Sequence, residues 1–284
     1  MKVETYAKIN LTLRVDPPGP SGMHPIRSLA QTIDWSDILE LDPAEQESFV
    51  IDGADLPADD DNLAYRALGA VRTATGRSHP VSLRLLKRIP IAAGLGGGSA
   101  DAAAVLALAA RCLRLDPRAR DALGPGLGAD VALCLTGGLV RVSGFGQKVL
   151  RAPEYANFHV AIAVPPFELM TADVYGRWDE MEGPKGSPIP ARHLPPSLRS
   201  YGPLINDLTP AALELEPDLG DWMSDLARMW SVPVAMSGSG PSMFGLFPSR
   251  SEADGAAADV TGARATRGCS QTERGWVEIQ EPAQ

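Results

Sequence analysis

Four glycines fall within five residues in Pro90-Ile91-Ala92-Ala93-Gly94-Leu95-Gly96-Gly97-Gly98-Ser99-Ala100-Asp101-Ala102-Ala103. Such a cluster removes Cβ atoms where a ligand must come close to the main chain. An Ala/Leu stretch over residues 100–113 follows and predicts a helix, whose first N–H groups lack internal partners and carry the positive end of its dipole. The chemistry this points to is anion binding, and a phosphate is the natural anion. Pro90, Gly94, Leu95, Gly96, Gly97, Gly98, Ser99 and Ala100 are the candidate phosphate-binding residues. Ser99 sits at the junction, where its hydroxyl can cap the helix or touch a phosphate or its metal ion. There is no Gly-Lys-Ser/Thr ending, so the loop is not a Walker loop. No βαβ unit with an acidic residue about 20 positions on follows, which disfavours a dinucleotide fold.

Other residues could do chemistry in company. Asp130 lies in a segment of low polarity, residues 126–135, where a carboxylate without a partner is costly. Taken alone it also reads as a turn or helix-cap residue, and Lys8 alone reads as a solvated lysine at a strand end. Asn10 shares a strand face with Lys8. His24, which follows a Pro/Gly-rich loop and stands beside Met23, offers one donor and one acceptor as a neutral imidazole. Tyr175, after Thr171-Ala172-Asp173-Val174, fits a ligand contact or ordinary helix packing equally well. Lys87 precedes the glycines and by itself reads as a solvated lysine on a strand edge. Asn62 heads a helical pattern, and Ser237-Gly238-Ser239-Gly240 reads as a hairpin turn between apolar runs. Cys112, Cys134 and Cys269 are far apart with no CxxC or Cys/His metal spacing, the pattern of a reduced cytoplasmic protein.

The elements that must position these residues are visible in the periodicity. Residues 3–15 alternate as a half-buried strand, 28–41 read as a second strand bent near Trp35-Ser36-Asp37, and 81–89 as a third. Residues 16–22 form a turn or loop. Leu63, Ala67, Leu68 and Val71 recur at helical spacing behind Asn62, a capping side chain. Residues 133–142 and 159–164 predict later strands, and 206–219 and 221–230 predict helices. Residues 234–247 read as strand, glycine turn, strand. Residues 180–200, rich in Pro, Gly and charge, predict a mobile or irregular connection. A domain boundary is expected near 155, dividing the chain into residues 1–155 and 156–284.

Composition narrows the field. With 284 residues and 44% hydrophobic content, the chain can bury a real core. The net charge of −9 argues against a nucleic-acid binder. No apolar run reaches the roughly 18 residues of a membrane span, and the first residues lack a signal-peptide pattern. A soluble protein with a small-molecule partner is expected, as monomer or homodimer.

Residues 90–103 resemble the phosphate-binding motif of the GHMP kinases, the superfamily of galactokinase, homoserine kinase, mevalonate kinase and phosphomevalonate kinase. Ala7-Lys8-Ile9-Asn10-Leu11 and Met236-Ser237-Gly238-Ser239-Gly240-Pro241-Ser242 match in the right order, so the resemblance covers nearly the whole chain. Gly22-Met23-His24, Leu127-Gly128-Ala129-Asp130-Val131 and Asn206-Asp207-Leu208 are most similar to the 4-diphosphocytidyl-2-C-methyl-D-erythritol kinase family. The resemblance implies an α/β (α+β) fold of two domains, the first ribosomal-S5-like, with ATP and acceptor meeting between them. It implies ATP and Mg²⁺ as cofactors, the ion held mainly through ATP phosphates and touched by Ser99 or Asp130. It implies phosphorylation of the 2-hydroxyl of the cytidine-diphosphate-linked methylerythritol, in non-mevalonate isoprenoid precursor synthesis. Asp130 becomes the base and Lys8 its partner, Asn10, Met23, His24 and Tyr175 bind the acceptor, and Asn62, Lys87, Gly238 and Ser239 serve the ATP side. Met23 departs from the family, which carries a tyrosine there to stack on cytosine. Homoserine or mevalonate kinases and a catalytically silent nucleotide-binding module are the competing readings.

Overall fold

The computed structural model describes residues 1–152 and 157–279. In chain order the elements are β1 (Lys2–Val15), β2 (Ile26–Pro43), β3 (Ser48–Asp52), α1 (Leu63–Thr75), β4 (Val81–Leu86), α2 (Gly97–Cys112), α3 (Pro117–Leu127), α4 (Val131–Thr136), β5 (Leu139–Gly144) and β6 (Lys148–Arg151). They continue with β7 (His159–Val164), α5 (Thr171–Glu180), β8 (Ile205–Asn206), α6 (Thr209–Leu215), α7 (Asp218–Trp230), β9 (Val234–Met236), β10 (Met243–Phe247), α8 (Arg250–Ala258), β11 (Ala265–Ser270) and β12 (Trp276–Glu278).

Two sheets organise the chain. The first runs β12-β1-β2-β4-β3, with β5 beside the other half of β2, β6 beside β5, and β8 beside β1. β1 and β2 are antiparallel along almost their whole length, with a register shift where Tyr6 faces Ser36 but Ala7 faces Ile33. The extra residues of β2 at Asp34 and Trp35 form the bend expected there, and that bend lets one long strand pair with β5 at its start and β4 at its end. The second sheet, β11-β7-β10-β9, is antiparallel throughout.

β1 alternates buried and half-buried residues at both ends, but Ala7 through Leu11 are all buried. Ala7, Ile9 and Leu11 point into one apolar cluster with Ile162, Val164 and Phe244. Lys8 and Asn10, on the opposite face, are buried as well, at 3% and 5% exposure, because the glycine turn and the β9–β10 connection lie against them. Neither is the solvent-facing residue that its type alone allows. α2 is rich in alanine and leucine because Ala100 to Ala110 are buried, with α1, α3, α4, β1 and β2 packed against the helix.

The structure corrects several expectations. The helix after the glycines begins at Gly97, so Gly97, Gly98 and Ser99 are its first turn and Gly96 is its N-cap. Residues 133–136 belong to α4, and the strand starts only at Leu139; a short apolar run does not by itself distinguish buried helix from strand. Asn206 lies in β8 rather than in a helix, which starts at Thr209. Residues 180–200 are irregular but docked, with a buried Leu194 after one short 3₁₀ turn and a buried Leu198 within a second. The expected domain boundary at 155/156 lies outside the described residues; beyond it, β8 and β12 pair with β1 of the first sheet.

Candidate active site

A cavity of about 990 Å³ opens between the glycine turn, β1, α5 and the β9–β10 connection. Its walls include every site residue expected from the sequence except Ala100. Ala100 is fully buried and donates its N–H to the Gly96 carbonyl, as an interior helix residue does.

The glycine turn is built by close contacts. Gly94 and Gly96 have φ of +73° and +71°, conformations that side chains disfavour. A Cβ on Gly94 would sit 2.2 Å from the Ser237 carbonyl oxygen, and one on Gly96 would sit 2.9 Å from Cε of Lys8. The Gly94 carbonyl accepts from Lys8 Nζ at 3.0 Å and from Ser237 Oγ at 3.0 Å. Ser242 N–H donates to the Ala93 carbonyl, and Asn10 N–H to Ser237 Oγ at 3.3 Å. The connection between β9 and β10 is therefore clasped onto the turn. Asn206 Nδ2 holds that connection from behind, donating to the carbonyls of Met236 at 2.9 Å and Gly238 at 2.8 Å. Ser239 Oγ pairs with Thr171 Oγ1 at 2.9 Å, at the head of α5.

Lys8 and Asp130 meet. Lys8 Nζ lies 3.2 Å from Asp130 Oδ2 and donates to Asn10 Oδ1 at 2.6 Å. Asn10 Nδ2 donates to Ser28 Oγ at 2.9 Å, so the lysine is held by a fixed neighbour. Asp130 occupies the N-cap position of α4, but its side chain makes no capping bond and turns to the lysine instead. It is the more exposed partner, 27% against 4% for Lys8, so the carboxylate faces the cavity and the ammonium buttresses it.

The far end of the cavity carries rings. His24 has its centroid 5.0 Å from that of Tyr175 and 5.5 Å from that of Trp178, the latter edge-on. Its Nδ1 lies 3.2 Å from the Asp16 carbonyl and its Nε2 3.2 Å from Asp179 Oδ2. Burial and the nearby Asp130 charge push the Tyr175 hydroxyl up to about 12, so it stays a protonated donor. Met23 is 51% exposed at the rim.

On the opposite side, Asn62 caps α1 through Ala64 N–H and donates to the Pro57 carbonyl. Lys87 also lines the cavity. It is no solvated lysine but a buried one, donating to Asp37 Oδ2 at 2.5 Å and Asp101 Oδ2 at 2.7 Å. Sequence reasoning missed Asp37, Asp101, Asp179, Phe145 and Thr171. Thr171 and Asp179 had a legible signal, four residues before and after Tyr175 and so on the same helical face.

No group of three or more His, Cys, Asp or Glu side chains suited to a metal ion occurs among the described residues. Ser99 and Asp130 both line the cavity and offer oxygen donors, the hard-ligand chemistry that Mg²⁺ takes when phosphates supply most of its shell.

With this geometry in place, the comparisons with known proteins are specific. Residues 62–138 match the GHMP kinases N terminal domain. A 4-diphosphocytidyl-2-C-methyl-D-erythritol kinase of Carboxydothermus hydrogenoformans is 36% identical over 87% of this chain and 88% of its own length. One of Mesorhizobium japonicum is 37% identical over 90% and 89%. A crystal structure of 4-(cytidine 5'-diphospho)-2C-methyl-D-erythritol kinase superposes with a TM-score of 0.79 at 29% identity, covering 95% of this chain and 99% of that one. The chain belongs to the 4-diphosphocytidyl-2-C-methyl-D-erythritol kinase family of the GHMP kinases.

Proposed function

We propose that this protein transfers the γ-phosphoryl group of ATP to the 2-hydroxyl of 4-diphosphocytidyl-2-C-methyl-D-erythritol, a step of non-mevalonate isoprenoid precursor synthesis. The observation that carries this reading is the Lys8–Asp130 pair, 3.2 Å apart, facing the same cavity as the glycine turn. The main-chain N–H groups of Gly97, Gly98 and Ser99 open α2 toward the triphosphate. Mg²⁺, held through ATP and reached by Ser99 or Asp130, would neutralise charge on the phosphates. Asp130 accepts the proton of the attacking hydroxyl as its oxygen bonds to the γ-phosphorus and the bond to ADP breaks. Lys8 fixes the carboxylate and offsets negative charge developing on the acceptor oxygen. The main-chain amides of the Gly238–Ser239 turn lie opposite and extend the anion nest. His24, Tyr175 and Met23 enclose the nucleotide head group of the acceptor, and Asn10 serves its polyol. A division into an ATP-binding domain, 1–155, and a C-terminal domain, 156–284, accompanies this assignment.

Acceptor titration tests it. ADP release should depend on the cytidylylated methylerythritol and be absent with homoserine or mevalonate. Turnover on either of those instead would overturn the acceptor, and ATP binding without acceptor-dependent ADP release would mark a silent binding module.

A further inference from the structure

The acceptor end of the cavity holds a carboxylate to which the proposed reaction gives no task. Thr171, Tyr175 and Asp179 are spaced four residues apart, so they share one face of α5, and all three line the cavity. Thr171 meets Ser239 where the β9–β10 connection docks on the glycine turn. Eight further residues of helix carry that face about 12 Å outward. There Asp179 Oδ2 stands 3.2 Å from His24 Nε2, beside the ring of Tyr175.

Stability does not account for this carboxylate. It sits in the last turn of α5, where the helix dipole opposes a negative charge. Its side chain is 42% exposed, so the contact with His24 contributes little to folding. Nor does it attract the acceptor, whose diphosphate carries charge of the same sign. What it offers is hydrogen-bond polarity, because an ionised carboxylate only accepts. His24 Nδ1 is engaged by the Asp16 carbonyl at 3.2 Å, which leaves Nε2 and the Asp179 oxygen beside it as the edge available to a ligand. Gly176 keeps the adjoining wall open: it lines the cavity, and a Cβ on it would meet nothing within 4 Å. The pyrimidine bases differ in the polarity such an edge reads. Cytosine presents an exocyclic amino group, a donor, where uracil presents a carbonyl oxygen, an acceptor.

We propose that Asp179 is a specificity-determining residue of the acceptor site: its carboxylate accepts from the exocyclic amino group of the cytosine ring and repels the carbonyl of a uracil ring in the same place, with His24 holding it in position. This rests on the acceptor assigned above. Asp179 acts on selectivity more than on affinity, because the uracil form both loses a hydrogen bond and sets one acceptor against another.

The experiment compares kcat/KM of the full chain for the cytidine acceptor and for its uridine counterpart, 4-diphosphouridyl-2-C-methyl-D-erythritol, at saturating ATP. Wild type should prefer the cytidine form by about 100-fold or more. Asp179→Asn places an amide that can donate to the uracil carbonyl as well as accept from the cytosine amino group. Its preference should shrink by about 10–100-fold, with kcat/KM for the uridine form rising in absolute terms. Asp179→Ala should shrink the preference too, by lowering kcat/KM for the cytidine form alone, which covers the case in which the asparagine variant does not fold. A wild type that does not prefer the cytidine form overturns the proposal. So does a preference left unchanged in either variant, the result of a merely structural role that lowers both acceptors by the same factor. Phosphorylation of neither acceptor by wild type would instead strike the function proposed above.

Discussion

Lys8 and Lys87 are equally buried, each side chain 4% exposed, yet they face different company. Lys8 answers one half-buried carboxylate that looks into the cavity; Lys87 answers two that are themselves buried. Removing the first carboxylate should therefore strike chemistry alone. Asp130→Asn is expected to lower kcat by roughly 10²–10⁴-fold while leaving the ATP dissociation constant within a few-fold of wild type, as rapid-quench and equilibrium binding would read. His24→Ala should act oppositely, raising the acceptor KM with little change in the KM for ATP in steady-state assays. The Lys87 site gives a pH dependence of stability. The Asp101 carboxyl rises from 3.8 to about 7 on folding, so the native state holds the extra proton between those values. The associated stability is full below about pH 4 and is lost as pH rises to about 7. Urea midpoints of wild type should fall across that window more steeply than those of Asp101→Asn, which should be the more stable of the two at pH 8.

At the scale of elements, the glycine turn was the most legible feature, because four glycines ahead of an alanine helix have few physical uses. Its clasp was not. Ser237 holds Gly94 from 143 positions away, and no local pattern announces that a hairpin turn will dock on a distant loop. Asn206 likewise reads as a helix start until the two carbonyls it serves are seen. α4 was misread because six mostly apolar residues have no period to count. The burial of Lys87 was not legible, because it depends on Asp37 and Asp101, which only the fold brings to it. Gly96→Ala tests the turn. Its φ of +71° and the 2.9 Å approach to Lys8 leave no room for a methyl group. The KM for ATP should rise by about tenfold or more, in line with the penalty for a left-handed alanine. Asn62→Ala removes the α1 cap and should lower unfolding stability by about 1 kcal/mol in denaturant titration.

Across the whole molecule, the two sheets share more than a cavity. The fully buried Asp207 accepts from the N–H groups of Val15 and Gly186, and pairs with Arg14 and Lys185. It ties the end of β1 to the irregular 180–200 segment. Asp207→Ala should cost roughly 1–3 kcal/mol for each amide left without an acceptor, seen as a lower denaturant midpoint and faster proteolysis within 180–200. The pairing of Val3 with Glu278 and of Thr5 with Trp276 has a different consequence. These partners stand more than 270 positions apart in the chain, so during synthesis the Val3–Thr5 edge of β1 is made long before the strand that covers it. During that interval the nascent chain exposes a strand edge to any extended peptide nearby, and its first native-like intermediates are those in which chaperones have most to shield.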